Sequence, residues 1–186
     1  MNTIPSFTRL ETSMHIVSLD RIPKVEELEE VPLNEPIKLY KTCKEMEMVC
    51  ELQRGIGLSA VQIGIPWKLF IIKFDNTSTI GKPGEYGYFI NTEYEGITTE
   101  DTTEDRIVSL EGCLSIRSPD GQLRLFRVER FKNTKITGLR LKEPDLSFEE
   151  IDLTMKSENQ GVVFQHEIDH HRGILISDIG KEIDIW

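Results

Sequence analysis

The sequence predicts an α+β fold, mainly antiparallel sheets packed around a central metal-binding helix, with an amphipathic helix toward the amino end. Three observations predict it. Short apolar or alternating runs recur between Gly-, Pro- and Asp-containing turns, as strands of antiparallel sheets do. One earlier stretch instead places apolar residues at helical spacing. Near the carboxy end, Gln165-His166-Glu167-Ile168-Asp169-His170, read as helix, sets two imidazoles one turn apart on one face.

A chain of 186 residues suits one domain, with enough interior to fold without disulfide support. Residues 1–186 are therefore read as a single domain, with 1–13 as a possible amino-terminal extension. The net charge of −10, with no basic block, argues against direct nucleic-acid binding or a membrane surface. Three cysteines without paired spacing argue against a secreted disulfide framework. No apolar run approaches the roughly 20 residues of a spanning helix, and no signal peptide is apparent. A reducing, cytoplasmic setting is the expectation.

Along the chain, Met1 to Ser13 lack periodicity, His15-Ile16-Val17 reads as a short strand or extended lead-in, and the acidic residues to Pro32 read as loop. Asn34 is the expected cap of a helix with Glu35 and Pro36 in its first turn. Leu39, Cys43, Met46 and Cys50 share one stripe of that helix, which should run to about Arg54. This makes Cys43 and Cys50 core residues. Gly55 reads as the helix-ending cap. Ser59 and Ala60 then lead to Gln62, whose amide could donate a hydrogen bond into a site. Strands are expected at Leu69–Ile72, Tyr86–Asn91, Val108–Leu110, Ile136–Leu141 and Phe148–Leu153, with Glu100–Asp105 as a solvated loop.

His166 and His170 can face a single ion while Glu167 stands beside them, the geometry of a metal-activated water with its own base. The spacing is short enough to arise by chance, so the third ligand decides. In the elongated zinc-protease pattern Gly173 fits, but the position of the final histidine is Ile176. A glutamate from a later helix has only Glu182 to supply it, close to the end of the chain. The ligand is expected upstream, and Cys113, in Glu111-Gly112-Cys113-Leu114-Ser115, is the best candidate. The glycine before it permits close backbone approach. A buried inert cysteine is the competing reading.

Taken together, Gly55–Gln62, Glu111–Ser115 and Gln165–His170 resemble the three motifs of peptide deformylase in order and spacing. The resemblance implies Cys113, His166 and His170 as ligands of one divalent ion, Fe2+ in the native state, with Zn2+, Ni2+ or Co2+ able to occupy the site. It implies removal of the formyl group from the N-terminal formyl-methionine of newly made polypeptides, with release of formate. Glu167 would act as base and then acid, and the Gln62 amide with the Leu114 backbone N–H would hold the oxyanion. Ile56, Val162 and Val163 are candidates for the methionine slot, and the backbone at Ile56 and Gly57 for pairing with an extended peptide. Glu111 is expected to pair with Arg130. A zinc-type endopeptidase using the same helix is the alternative.

Departures from the family pattern fall on the rim and the tail. Ser59 stands where alanine is commoner, and Arg117-Ser118-Pro119-Asp120-Gly121 replaces a shorter, proline-led loop. The sequence stops at Trp186 without the long carboxy-terminal helix of many bacterial members, as in short-tailed phage-like forms. Ribosome association through such a helix is correspondingly in doubt.

Overall fold

The computed structural model describes residues 14–98 and 105–183, so the expected amino-terminal extension lies outside the described residues. Helix α1 spans Pro36–Leu52 and carries proline in its first turn, where the missing N–H costs no hydrogen bond. Its cap position is Glu35, one residue later than Asn34, and no side chain caps it. The Glu35 N–H instead bonds the Pro32 carbonyl at 3.0 Å, so a proline turn rather than an asparagine starts the helix. Leu39, Cys43, Met46 and Cys50 are all fully buried, as their stripe requires.

The helix ends in a Schellman-type reversal: Arg54 N–H bonds the Glu51 carbonyl at 3.0 Å and Gly55 N–H the Cys50 carbonyl at 2.8 Å. The left-handed residue is Arg54, at φ 57°, not Gly55. Gly55 is small for another reason. A Cβ there would lie 2.8 Å from a Leu114 methyl and 3.0 Å from the Cys50 sulfur.

Eight strands follow among the described residues: β1 (Gly57–Ser59), β2 (Leu69–Lys73), β3 (Tyr86–Gly96), β4 (Arg106–Arg117), β5 (Leu123–Phe131), β6 (Asn133–Leu141), β7 (Phe148–Lys156) and β8 (Lys181–Ile183). One antiparallel sheet has the order β1-β2-β3-β6-β7, and the other β4-β5-β8. Helices α2 (Gly161–His171) and α3 (Ile176–Ile179) complete the fold. Met14–Val17 form no strand, although Val17 N–H bonds the Gln62 carbonyl at 2.9 Å. Asp105 is buried rather than solvated, while 99–104 lie outside the described residues.

Alternation on β2 explains the layering. Leu69 and Ile71 face α1 with Leu39, Met46, Tyr88 and Ile90. Phe70 and Ile72 face α2 with Phe89, Phe164 and Ile168. The smaller sheet covers another side of α2: Gln165 accepts from Phe131 N–H at 2.9 Å and donates to its carbonyl at 3.0 Å. A helix held between two sheets can bury polar side chains as well as apolar ones, and α2 does so with Gln165, Glu167, Asp169, His170 and His171.

The aromatic contacts beneath α2 make a direct test of the core. Phe89 is fully buried and lies 4.7 Å from Phe164 and 5.3 Å from Phe70, centroid to centroid. Phe89→Ala should lower the unfolding free energy by about 3–5 kcal/mol in urea titrations. Leu52→Ala, at a residue 69 % exposed, should change it by less than about 0.5 kcal/mol.

Candidate metal centre and cleft

Cys113 reaches the centre through an irregularity in β4. Gly112 pairs with Leu125 and Arg117 with Leu123, so residues 113–116 stand against Arg124 alone. This wide bulge turns the strand inward, as bulges beside functional sites do. The Glu111–Ser115 segment thus lies within β4, which runs well beyond the strand expected at Val108–Leu110. His166 and His170 come from one face of α2, with ring centroids 5.1 Å apart. The donor atoms of Cys113, His166 and His170 all lie within 4.8 Å of one another, and Cys113 Sγ is 3.4 Å from His170 Nε2.

Behind the cluster runs a buried polar chain. His166 Nδ1–H donates to the Glu111 carboxylate at 2.9 Å, which turns the other ring nitrogen, Nε2, toward the cluster. Both Glu111 oxygens accept from Arg130, each at 2.8 Å, and Arg130 Nη1 also donates to Asp169 Oδ2. The Tyr94 hydroxyl donates to Asp169 Oδ1 at 2.9 Å. The expected Glu111–Arg130 pair is therefore present and bidentate. Burial disfavours the Glu111 carboxylate, yet hydrogen bonds from Arg130 and His166 outweigh it and hold its pKa down to about 2.

The same electrostatics favour positive charge where the donors converge. Burial works against a charged His166, but hydrogen bonding to Cys113 and Glu111 raises its pKa to about 10. His170 is driven well below its ordinary value, chiefly by burial and then by the charge on His166, which keeps its imidazole neutral. One sulfur and two imidazoles, with a neighbourhood that attracts a proton in place of a cation, fit a borderline divalent metal. The three residues form a possible metal site.

Glu167 and Gln62 stand at the edge of this cluster. Burial raises Glu167 to about 7, and its Oε2 has no hydrogen-bond partner. Gln62 lies in the helical turn Ala60–Ile63 after β1; its Oε1 accepts from Ser59 N–H at 2.8 Å. That anchor aims the amide nitrogen at Cys113 Sγ, 3.4 Å away, and at Ser115 Oγ, 3.1 Å away. Gly57 makes the assembly possible, since a Cβ there would sit 2.4 Å from Glu167 Oε1.

Gln62, Leu114, His166 and Glu167 line a cleft of about 270 Å3, and Ile56, Gly57, Val162 and Val163 line it too. The sequence-predicted site residues thus gather at one place. Sequence reasoning missed Asp169 and Tyr94. Asp169 follows His166 by three residues, a spacing that puts it on a neighbouring part of the helix surface and could have suggested a role. Nothing local marks Tyr94, which depends on where β3 passes α2. It also missed Arg54, Leu110, Leu123 and Leu125 along the cleft.

Residues 19–184 match the family model described as polypeptide deformylase. The chain is 32 % identical over 141 residues to a peptide deformylase of Helicobacter pylori (strain Shi470), covering 76 % of this chain and 71 % of that protein. Its fold resembles that of a probable peptide deformylase from synechococcus phage S-SSM7, with TM-score 0.66, 25 % identity, and coverage of 90 % and 99 % of the two chains. It is also similar to the peptide deformylase of Thermotoga maritima, with TM-score 0.66, 26 % identity, and coverage of 91 % and 98 %.

The polar chain has a pH signature. Glu111, near 2 in the fold against an ordinary 4.5, stabilises the protein fully above pH 4.5 and loses that contribution as pH falls toward 2. Arg130→Ala strands two buried carboxylates and should cost about 3–5 kcal/mol near neutrality. Denaturant titrations should show this deficit narrowing as the buffer is acidified from pH 4.5 toward 2, because the native protein loses the Glu111 contribution over that range.

Proposed function

The chain belongs to the polypeptide deformylase family, and from that premise we propose that Cys113, His166 and His170 hold one divalent ion, Fe2+ in the native enzyme, with Zn2+, Ni2+ or Co2+ as possible substitutes. The reaction is removal of the formyl group from the N-terminal formyl-methionine of newly made polypeptides, with release of formate. The observation that carries the reading is the convergence of a thiol and two imidazoles beside Glu167 and Gln62 in one cleft. An endopeptidase role for the same helix has no support from the family match.

When bound, the ion supplies Lewis acidity that activates a water toward the formyl carbon. The chain's own groups do the rest. Glu167, raised to about 7 by burial, accepts the water's proton and later delivers it to the departing amine. Its unpartnered Oε2 is the free position for that proton. Gln62, fixed through Ser59 N–H, presents its amide nitrogen to the developing oxyanion. The Leu114 backbone N–H, within the β4 bulge, is the second donor in this proposal.

Peptide alignment falls to β1, an edge strand of its sheet. Ile56 and Gly57 would pair with an extended substrate there, and Val162 and Val163 with Ile56 would form the apolar slot for methionine. Because α2, β1 and β4 all contribute, we take the chain as a single catalytic domain. No helix among the described residues is long and apolar enough to cross a membrane. We place the activity in the cytoplasm, where formylated nascent chains are found.

Metal-loaded enzyme under anaerobic ferrous conditions should release formate from formyl-Met-Ala-Ser and leave internal peptide bonds intact. Chelation should abolish turnover, and a less oxidisable ion should restore it after air inactivation. Gln62→Ala should raise the barrier by about 2.7–4 kcal/mol, seen as a loss of about 10²–10³ in kcat. Glu167→Gln should lower kcat by about 10²–10⁴ with bound metal retained in elemental analysis. Full activity in Glu167→Gln, or cleavage within unformylated peptides, would overturn the proposal.

A further inference from the structure

The cleft continues past the methionine slot into a mouth with unusual chemistry. On one rim Ile56 is 60 % exposed, and on the other Leu110 is 60 % and Leu123 38 % exposed. Leu125 joins them: it pairs with Gly112, which has no side chain to cover it, and Leu110 lies two residues back on the same face of β4. Scattered exposed leucines need no explanation, but these share one opening. Arg54 is the cation on this lining.

The leucine-bearing rim is held in place. Arg117 donates to the Gly121 carbonyl at 2.8 Å within its own hairpin and to Gln53 Oε1 at 2.9 Å beyond the end of α1. Its Nε bonds the Leu114 carbonyl at 3.3 Å, so one side chain ties the β4–β5 hairpin to the bulge and to the opposite wall. A rim fixed before binding spends little entropy when a ligand covers it.

We infer that this mouth makes the enzyme selective for formylated nascent chains whose second and third residues are apolar. The inference rests on the deformylase reading and extends it from the first residue to the next two. An extended peptide aligned on β1 carries alternate side chains to opposite faces, so the residues after methionine pass between Ile56 and the Leu110–Leu123 rim. Apolar side chains there remove leucine surface from water. Acidic ones cover no leucine surface and have Arg54 alone among the mouth residues to answer them, in a protein of net charge −10.

The test is the ratio of kcat/KM for two synthetic amides, formyl-Met-Leu-Leu and formyl-Met-Ser-Ser, followed by formate release from the metal-loaded enzyme. The native chain should favour the leucine peptide by about tenfold, equivalent to about 1.4 kcal/mol. Leu110→Ser/Leu123→Ser should reduce the ratio to less than about threefold, and Leu110→Met/Leu123→Met should keep it near the native value. Both substitutions are at exposed positions, and thermal melting verifies that the variants fold. Equal turnover of both peptides by the native chain, or a ratio untouched by the serine pair, overturns the inference and leaves the deformylase reading intact. No formate from either peptide overturns both.

Discussion

Arg130 is the interaction on which the rest of the centre depends. It stands on β5, bonds both oxygens of Glu111 on β4, and reaches Asp169 on α2, so a single guanidinium fastens a strand pair to a helix. All three side chains are buried, and isolated charges there would be costly. The planar fork of arginine satisfies a carboxylate bidentately while a further N–H serves the second one, which a lysine ammonium could not reproduce. Glu111 then spends its remaining capacity on His166, fixing which imidazole nitrogen faces the centre. The orientation of that candidate ligand is thus set by a network rooted in three separate elements.

The position of the sulfur follows from the same arrangement. Helix α2 lies between the two sheets, and a strand of the smaller one, β4, brings the sulfur against its histidine face. Regular pairing with β5 would leave β4 running past. The bulge at residues 113–116 bends it inward and leaves the segment carrying Cys113 and Leu114 outside the ladder. Backbone released from sheet pairing is what a site built on main-chain donors needs.

Much of this was legible from residues and resemblance, and the failures have physical reasons. The α1 stripe is periodic over about three turns, and each of its four members, Leu39, Cys43, Met46 and Cys50, is buried. Strands β2, β6 and β7 announce themselves by apolar runs or alternation. Strand β5 does not, because Arg130 occupies an inward position where an apolar residue would complete the pattern with Phe126 and Val128. The far half of β4 is hidden likewise by Gly112 and Ser115, weak strand formers held by their surroundings. The left-handed turn at Arg54 has no sequence signal at all, since glycine stood next to it. Cys113, His166 and His170 were picked out by their motifs, and Asp169 had a helical spacing that went unused, while Tyr94 required knowing which strand crosses α2.

Gly57 carries a consequence of a different kind. The strand that would align a peptide and the carboxylate that would move a proton touch there with no side chain between them. The cleft is shaped as much by omitted atoms as by present ones. One methyl group, elsewhere among the mildest of exchanges, would at this residue occupy the carboxylate's own space. Tolerance to change around the centre therefore does not track side-chain size: at this residue the addition of an atom, rather than its removal, displaces Glu167.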